Sequence, residues 1–270
     1  MEWFEALILG LIQGLTEFLP VSSSGHLEIG KEILGVRTTD DLMFTTMVHA
    51  ATVLSTIVVF RKQILSLLKG FFKFKYNDET DYLLKIAVSL VPIMIVGLFF
   101  KDQVEALFGS IKVVGIALLF TSALLFLSDI VSRPGKASAS AAAKDVRNGI
   151  SYWQALVVGL GQALAVIPGL SRSGTTISTG LICGVRRDVM AQFSFLMVLI
   201  PILGESFLEL VGGEFASSSV GTLPLALGFL SAFLSGLFAC KVMIALVRKA
   251  RLSWFAVYCL VAAAVIFIFS

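Results

Sequence analysis

Residues 6–36 read ALILGLIQGLTEFLPVSSSGHLEIGKEILGV, and residues 155–185 read ALVVGLGQALAVIPGLSRSGTTISTGLICGV. Laid over one another at an offset of 149, without gaps, they share twelve identities. Leucine and alanine matches arise readily between any two apolar helices. Paired Ala6/Ala155, Gly10/Gly159, Gln13/Gln162 and Gly35/Gly184, and above all a matched Ser-x-Ser-Gly (Ser22, Ser24, Gly25 against Ser171, Ser173, Gly174), do not. The same offset carries Phe44 onto Phe193. The chain therefore divides into two repeats, 1–130 and 151–270. Between them a linker, 131–150, contains the small-residue run Ala137 to Ala143 flanked by Arg133, Lys136, Lys144 and Arg147.

Working outward, each matched stretch has a helical run of about 14 residues before Pro20 or Pro168, then a polar break, then a second short run. A spanning helix needs ~20 apolar residues. The two pieces, about 3–36 and 152–185, read as re-entrant helical hairpins, which are allowed at membrane depth where protein or water satisfies the backbone. Six other apolar segments, about 43–60, 86–100, 113–128, 189–204, 224–240 and 252–270, read as crossings.

Composition agrees with a lipid environment. Of the 270 residues, 57% are hydrophobic and 14% charged, with mean hydropathy +0.93. Soluble domains carry about a quarter charged residues, so this chain lacks the charge to cover a globular surface. Cys183, Cys240 and Cys259 lie in apolar stretches without metal-ligand spacing and read as buried small hydrophobes. The opening Met1-Glu2-Trp3-Phe4-Glu5 is acidic where a signal peptide is basic, so it is expected to stay in the mature protein.

The positions of the basic residues orient the chain. Arg61, Lys62, Lys69, Lys73, Lys75 and Lys85 mark 61–85 as cytoplasmic, as do the linker and Lys241, Arg248, Lys249 and Arg251. Glu205, Glu209 and Glu214, with no Lys or Arg between 205 and 222, mark that segment as outside. Both termini then fall outside. The first hairpin enters from outside and the second, returning to Arg186-Arg187, from the cytoplasm. Three crossings per half make the repeats inverted. The expected fold is an all-α integral membrane protein of two inverted-topology repeats, each a re-entrant hairpin followed by three transmembrane helices. In such architectures the binding site lies near the midplane, where broken helices meet.

The first break supplies Glu17, Ser22, Ser23, Ser24, Gly25 and His26, with Gln13 four residues before Glu17 and hence on its helix face. A carboxylate inside a membrane segment is a functional candidate by default. The second supplies Ser171, Arg172, Ser173, Gly174, Thr175 and Thr176. Arg172 brings forked donors suited to phosphate oxygens, and the residues after Gly174 are expected to open a short helix whose free N–H groups attract anions. No Gly-Lys-Ser/Thr follows, so this is not a Walker loop. Glu17 would repel a diphosphate unless a divalent cation such as Mg²⁺ or Ca²⁺ lay between them. His26 can move a proton near neutral pH. Hydroxyl, histidine and carboxylate together form the set that activates a nucleophile. His49, alone in the apolar run Met47-Val48-His49-Ala50-Ala51, reads as an interhelical hydrogen-bonder and is set aside. Arg186 and Arg187 read as interface arginines.

With these residues in view, the chain resembles the undecaprenyl-diphosphate phosphatase family of the bacitracin-resistance type. The resemblance covers essentially the whole chain and is most specific at Gln13 to Glu17, Pro20 to His26 and Pro168 to Gly174. It implies a multi-pass enzyme of the bacterial inner membrane that hydrolyses a C55 isoprenyl diphosphate to the monophosphate carrier used in cell-wall synthesis, with a divalent cation and a site opening to the outer face. Carried over by motif, Ser23 matches the proposed nucleophile, Glu17 is base or metal contact with Gln13 beside it, His26 is acid or nucleophile, and Arg172 clamps phosphate. Ser22, Ser24, Gly25, Ser171, Ser173, Gly174, Thr175 and Thr176 would complete the phosphate site. A metal-activated water is an alternative attacker. The implied partners are the polyprenyl diphosphate, the bilayer and, at most, further copies of the chain in a homo-oligomer; no nucleic acid is expected. A secondary transporter or flippase for an anionic lipid would use the same scaffold, but needs neither a nucleophile nor its base. A purely structural subunit would leave the matched breaks unexplained.

Overall fold

A computed structural model describes residues 1–36, 41–107, 110–132, 146–204, 220–249 and 251–269. The centre of the expected linker and the acidic stretch 205–219 lie outside the described residues. All regular structure among the described residues is helical: α1 (Trp3–Thr16), α2 (Ser23–Leu34), α3 (Asp41–Phe71), α4 (Asp78–Phe99), α5 (Lys101–Glu105), α6 (Ile111–Val131), a 3-10 turn at Arg147–Gly149, α7 (Tyr152–Leu164), α8 (Arg172–Ile182), α9 (Arg187–Met197), α10 (Thr222–Lys249) and α11 (Ser253–Phe269). Among the described residues, five helical stretches are long and apolar enough to cross a bilayer: Met43–Phe71, Asp78–Phe99, Ile111–Val131, Arg187–Gly204 and Thr222–Val247. The sixth expected crossing is α11, shorter at 17 residues. Large apolar side chains stay on the surface, among them Leu98, Phe238 and Ile268. The chain is a multi-pass integral membrane protein.

The short helices end where their sequences demand. Ser22 and Ser171 are N-caps, each accepting a hydrogen bond on Oγ, from the Gly25 and Gly174 amides at 3.2 and 3.1 Å. The second short helix thus begins at Arg172, before Gly174, and Arg172 and Ser173 belong to its first turn rather than to a loop. Gly35 closes α2 in the left-handed conformation that glycine adopts without penalty. At 14 and 13 residues, α1 and α7 rise only about 20 Å against a hydrocarbon core of about 30 Å.

Packing crosses between the halves. Helix α1 lies along α10, and α7 lies along α4. Both contacts run through matched glycines. A side chain at Gly10 would strike the Gly228 carbonyl, and one at Gly159 the Ser89 carbonyl. Helix α6 packs on α11 and α8, while α3 packs on α10. Hydroxyls bridge these seams: Ser55 donates to the Phe233 carbonyl at 2.8 Å and Ser122 to the Ala256 carbonyl at 2.7 Å.

Two charges expected at the surface prove to be tied to buried carboxylates. Lys85, read as part of a basic loop, is buried on α4, where Nζ donates to Asp81 at 2.6 Å and to the Arg147 carbonyl at 2.7 Å. Asp81 also accepts from Tyr76, Asn148 and Tyr152. An i,i+4 spacing lets the two charges neutralise each other, which burial requires. Arg187 likewise does not simply reach for the interface. It donates to buried Asp129 on α6 at 2.8 Å, and Asp129 also accepts from Ser253 and the Leu252 amide. Helix α3 runs past the expected boundary at residue 60 to Phe71, so Arg61, Lys62 and Lys69 decorate an exposed helix end.

Candidate active site

The two breaks touch. Ser24 Oγ accepts from the Gly169 amide at 3.4 Å, and Ser173 Oγ donates to the Leu19 carbonyl at 3.1 Å. Gly169 sits at φ +87°, where a side chain would both be strained and strike Val114. Ser22 adopts φ +71°, a costly conformation for a non-glycine residue, of order 1–3 kcal/mol, that tends to persist at functional sites.

Glu17, at the C-cap of α1, gathers the first break. Its Oε2 accepts from Ser23 Oγ at 2.5 Å and from Gln13 Nε2 at 2.8 Å. Helix position explains the second contact, since residues four apart share a face. Ser23, the first residue of α2, is turned back onto Glu17 by the Pro20–Ser22 reversal. This geometry gives a hydroxyl whose proton already points at a carboxylate, the arrangement that prepares an oxygen for attack.

Glu17 and Arg172 line one cleft with Ser173, Thr176, Ser194, Gln162, Thr52 and Thr56, and its wall continues in Phe18, Val53, Phe195, Val198, Leu199 and Ile202. The polar end carries one cation, several hydroxyls and a carboxylate. Thr176 Oγ1 is within 2.6 Å of Ser194 Oγ and reaches back to the Arg172 carbonyl, which ties α8 to α9. The Ser171 amide donates to Thr121 Oγ1 on α6 at 3.2 Å. Thr175 is buried with no partner for its hydroxyl among the described residues.

His26 is held elsewhere. Its Nδ1 must donate to the Ser22 carbonyl, 2.7 Å away, so Nε2 is left to accept from Tyr258 on α11 at 2.6 Å, and the two rings stack. Both ring nitrogens are engaged, and neither His26 nor Ser23 is among the residues lining the cleft, which Ser23 reaches only through its bond to Glu17. His49, which the sequence reading set aside, instead faces Glu17 at 3.9 Å, with Nδ1 donating to the Thr45 carbonyl at 2.8 Å. The signal for it was present: Thr45, His49, Thr52 and Thr56 recur at helical spacing and give α3 one polar face.

The family model for the bacitracin resistance protein BacA matches residues 6–265. The chain belongs to the BacA family. Within it, the chain is 50% identical to the undecaprenyl-diphosphatase of Bacteroides fragilis over 100% of this chain and 99% of that one. It is 52% identical to the undecaprenyl-diphosphatase of Parabacteroides distasonis, over 97% of this chain and 96% of the relative. The protein of that name from Korarchaeum cryptofilum is 37% identical over 97% of both chains. The BacA match spans both breaks and the cleft between them.

Proposed function

We propose that this chain hydrolyses undecaprenyl diphosphate to undecaprenyl phosphate and inorganic phosphate, thereby recycling the lipid carrier of cell-wall synthesis and conferring resistance to bacitracin. Full-length similarity to relatives of that name supports the substrate. The observation that carries the chemistry is the cleft where Glu17 from the first break meets Arg172, Ser173 and Thr176 from the second.

Arg172 binds the terminal phosphate with paired N–H donors, helped by the free amides opening α8, while the Ser173 and Thr176 hydroxyls, turned to the Leu19 and Arg172 carbonyls, hold that turn in place. The isoprenyl chain leaves along Phe18, Phe195, Val198 and Ile202. Ser23 Oγ attacks the terminal phosphorus, and its proton passes to Glu17. The bond from that phosphorus to the bridging oxygen breaks, undecaprenyl phosphate departs, and water then cleaves the phosphoserine to release phosphate. Phosphoryl transfer asks mainly for positioning and charge neutralisation. The 2.5 Å Ser23–Glu17 bond favours serine over water as attacker, and hydrolysis over simple transport. His26, bound between Ser22 and Tyr258, holds the serine turn against α11.

The residues fit a divalent cation. Gln13 is fully buried with Oε1 unpartnered beside the Glu17 carboxylate. No cluster of three or more His, Cys, Asp or Glu suited to a metal occurs among the described residues. One carboxylate and an amide oxygen match Mg²⁺ or Ca²⁺ shared with substrate phosphates, rather than a metal caged by protein alone. When bound, the cation would neutralise phosphate charge.

The same reading takes the chain as two inverted repeats, 1–130 and 151–270, whose hairpins enter the bacterial inner membrane from opposite faces, with the site opening outward. The 149-residue offset and the crossed packing of α1 on α10 and α7 on α4 support it.

Purified protein in detergent, given a polyprenyl diphosphate and Mg²⁺, should release phosphate. Glu17→Ala, Ser23→Ala and Arg172→Ala should each remove most of that activity while the protein still expresses and folds. Full turnover by all three would exclude this site.

A further inference from the structure

Gln162 is a polar side chain whose amide is left without a partner among the described residues. It lies on α7, is 1% exposed, and lines the cleft beside Arg172, Ser173 and Thr176. Neither Nε2 nor Oε1 has a hydrogen-bond partner among the described residues. Buried side-chain amides are nearly always paired, and leaving one unpaired destabilises the fold more than an apolar side chain of the same volume would.

Repeat ancestry does not account for it. At the offset of 149, Gln162 matches Gln13, and Gln13 donates its Nε2 to Glu17. The position matching Glu17 in the second half is Val166. Gln162 therefore keeps the amide of its counterpart without the carboxylate that amide serves. What it does share is a cleft with Arg172, Ser173 and Thr176.

We propose that Gln162 is a substrate-binding residue of this cleft, its Nε2 donating to an oxygen of the terminal phosphate while Oε1 accepts from a bound water. This rests on the reading of the cleft as a diphosphate site. Arg172 supplies charge and, being donor only, binds any anion of suitable size. A neutral amide adds a directional donor that selects a tetrahedral group at one depth in the cleft.

The test uses the full-length protein in detergent with farnesyl diphosphate and Mg²⁺, measuring phosphate release. Ligand-free melting and the shift caused by methylenediphosphonate are recorded in parallel. Gln162→Leu should raise KM roughly ten- to a hundredfold, as expected for losing a hydrogen bond to a charged acceptor. It should also abolish the methylenediphosphonate shift and leave the ligand-free melting temperature unchanged or higher. Gln162→Glu, which opposes phosphate charge, should weaken both readouts at least as much. Ser178→Ala removes another buried, unpartnered hydroxyl that does not line the cleft, and should leave KM within twofold. A KM within twofold of wild type for Gln162→Leu, or for Gln162→Glu should the leucine variant not fold, overturns the proposal. So does a lowered melting temperature with an unchanged diphosphonate shift. If the wild-type protein released no phosphate, the hydrolase reading would fall, and the diphosphonate shift would still decide the role of Gln162.

Discussion

Glu17 brings together most of what the first break contributes. Ser23 and Gln13 donate to one of its oxygens, and His49 faces the same oxygen from α3. Because His49 Nδ1 donates to the Thr45 carbonyl, its Nε2 is the nitrogen that faces the carboxylate. His49→Ala should lower kcat/KM on the order of tenfold, because it removes the polar group that faces the Glu17 carboxylate from α3 at 3.9 Å. His49→Gln, which keeps a donor, should recover much of the loss. An alanine variant with wild-type kcat/KM would leave Glu17 to Ser23 and Gln13 alone. Glu17 and Arg172 were legible in the sequence because a charge inside an apolar run has few structural excuses. His49 was not, since one histidine in such a run can satisfy itself on the preceding turn. It does so here through Thr45, while its other nitrogen faces the site. The placement of His26 was equally hidden, because its partner Tyr258 lies 232 residues away.

At the scale of the helices, the breaks were readable from proline and serine, but their register was not. Each Ser-x-Ser-Gly looked like a loop, yet in both the first serine caps a helix and the next residue starts it. Capping spends Ser22 and Ser171 on the backbone, and Ser24 and Ser173 bind the opposite break, so fewer hydroxyls are left for phosphate than their number suggests. Lys85 was misplaced for a related reason. Counting basic residues assigns a side to a loop, but a carboxylate one turn earlier can carry a lysine inside. The proposed inverted arrangement can be checked at matched, exposed positions. Phe4 and Trp153 stand 149 apart near the starts of α1 and α7. In a background lacking Cys183, Cys240 and Cys259, a membrane-impermeant thiol reagent applied to intact cells should label Phe4→Cys and not Trp153→Cys. Inverted vesicles should reverse the pattern. Labelling of both from one side would remove the inverted arrangement.

Across the whole molecule, the repeat exchanges its partners: the first helix of each half packs on a long helix of the other, through glycines at Gly10 and Gly159. That exchange brings Ser24 to Gly169 and Ser173 to Leu19, and thereby sets a carboxylate from one half and a guanidinium from the other along one cleft. Catalysis by a shared site has a kinetic signature, because residues acting as a unit are non-additive. The decisive measurement is kcat/KM for phosphate release from a polyprenyl diphosphate by Glu17→Gln, Arg172→Lys and the double variant. Each single change should cost about a hundredfold, and the double variant should be no slower than the slower single one. Losses that multiply to the product of the two single effects would contradict a common site built from both halves.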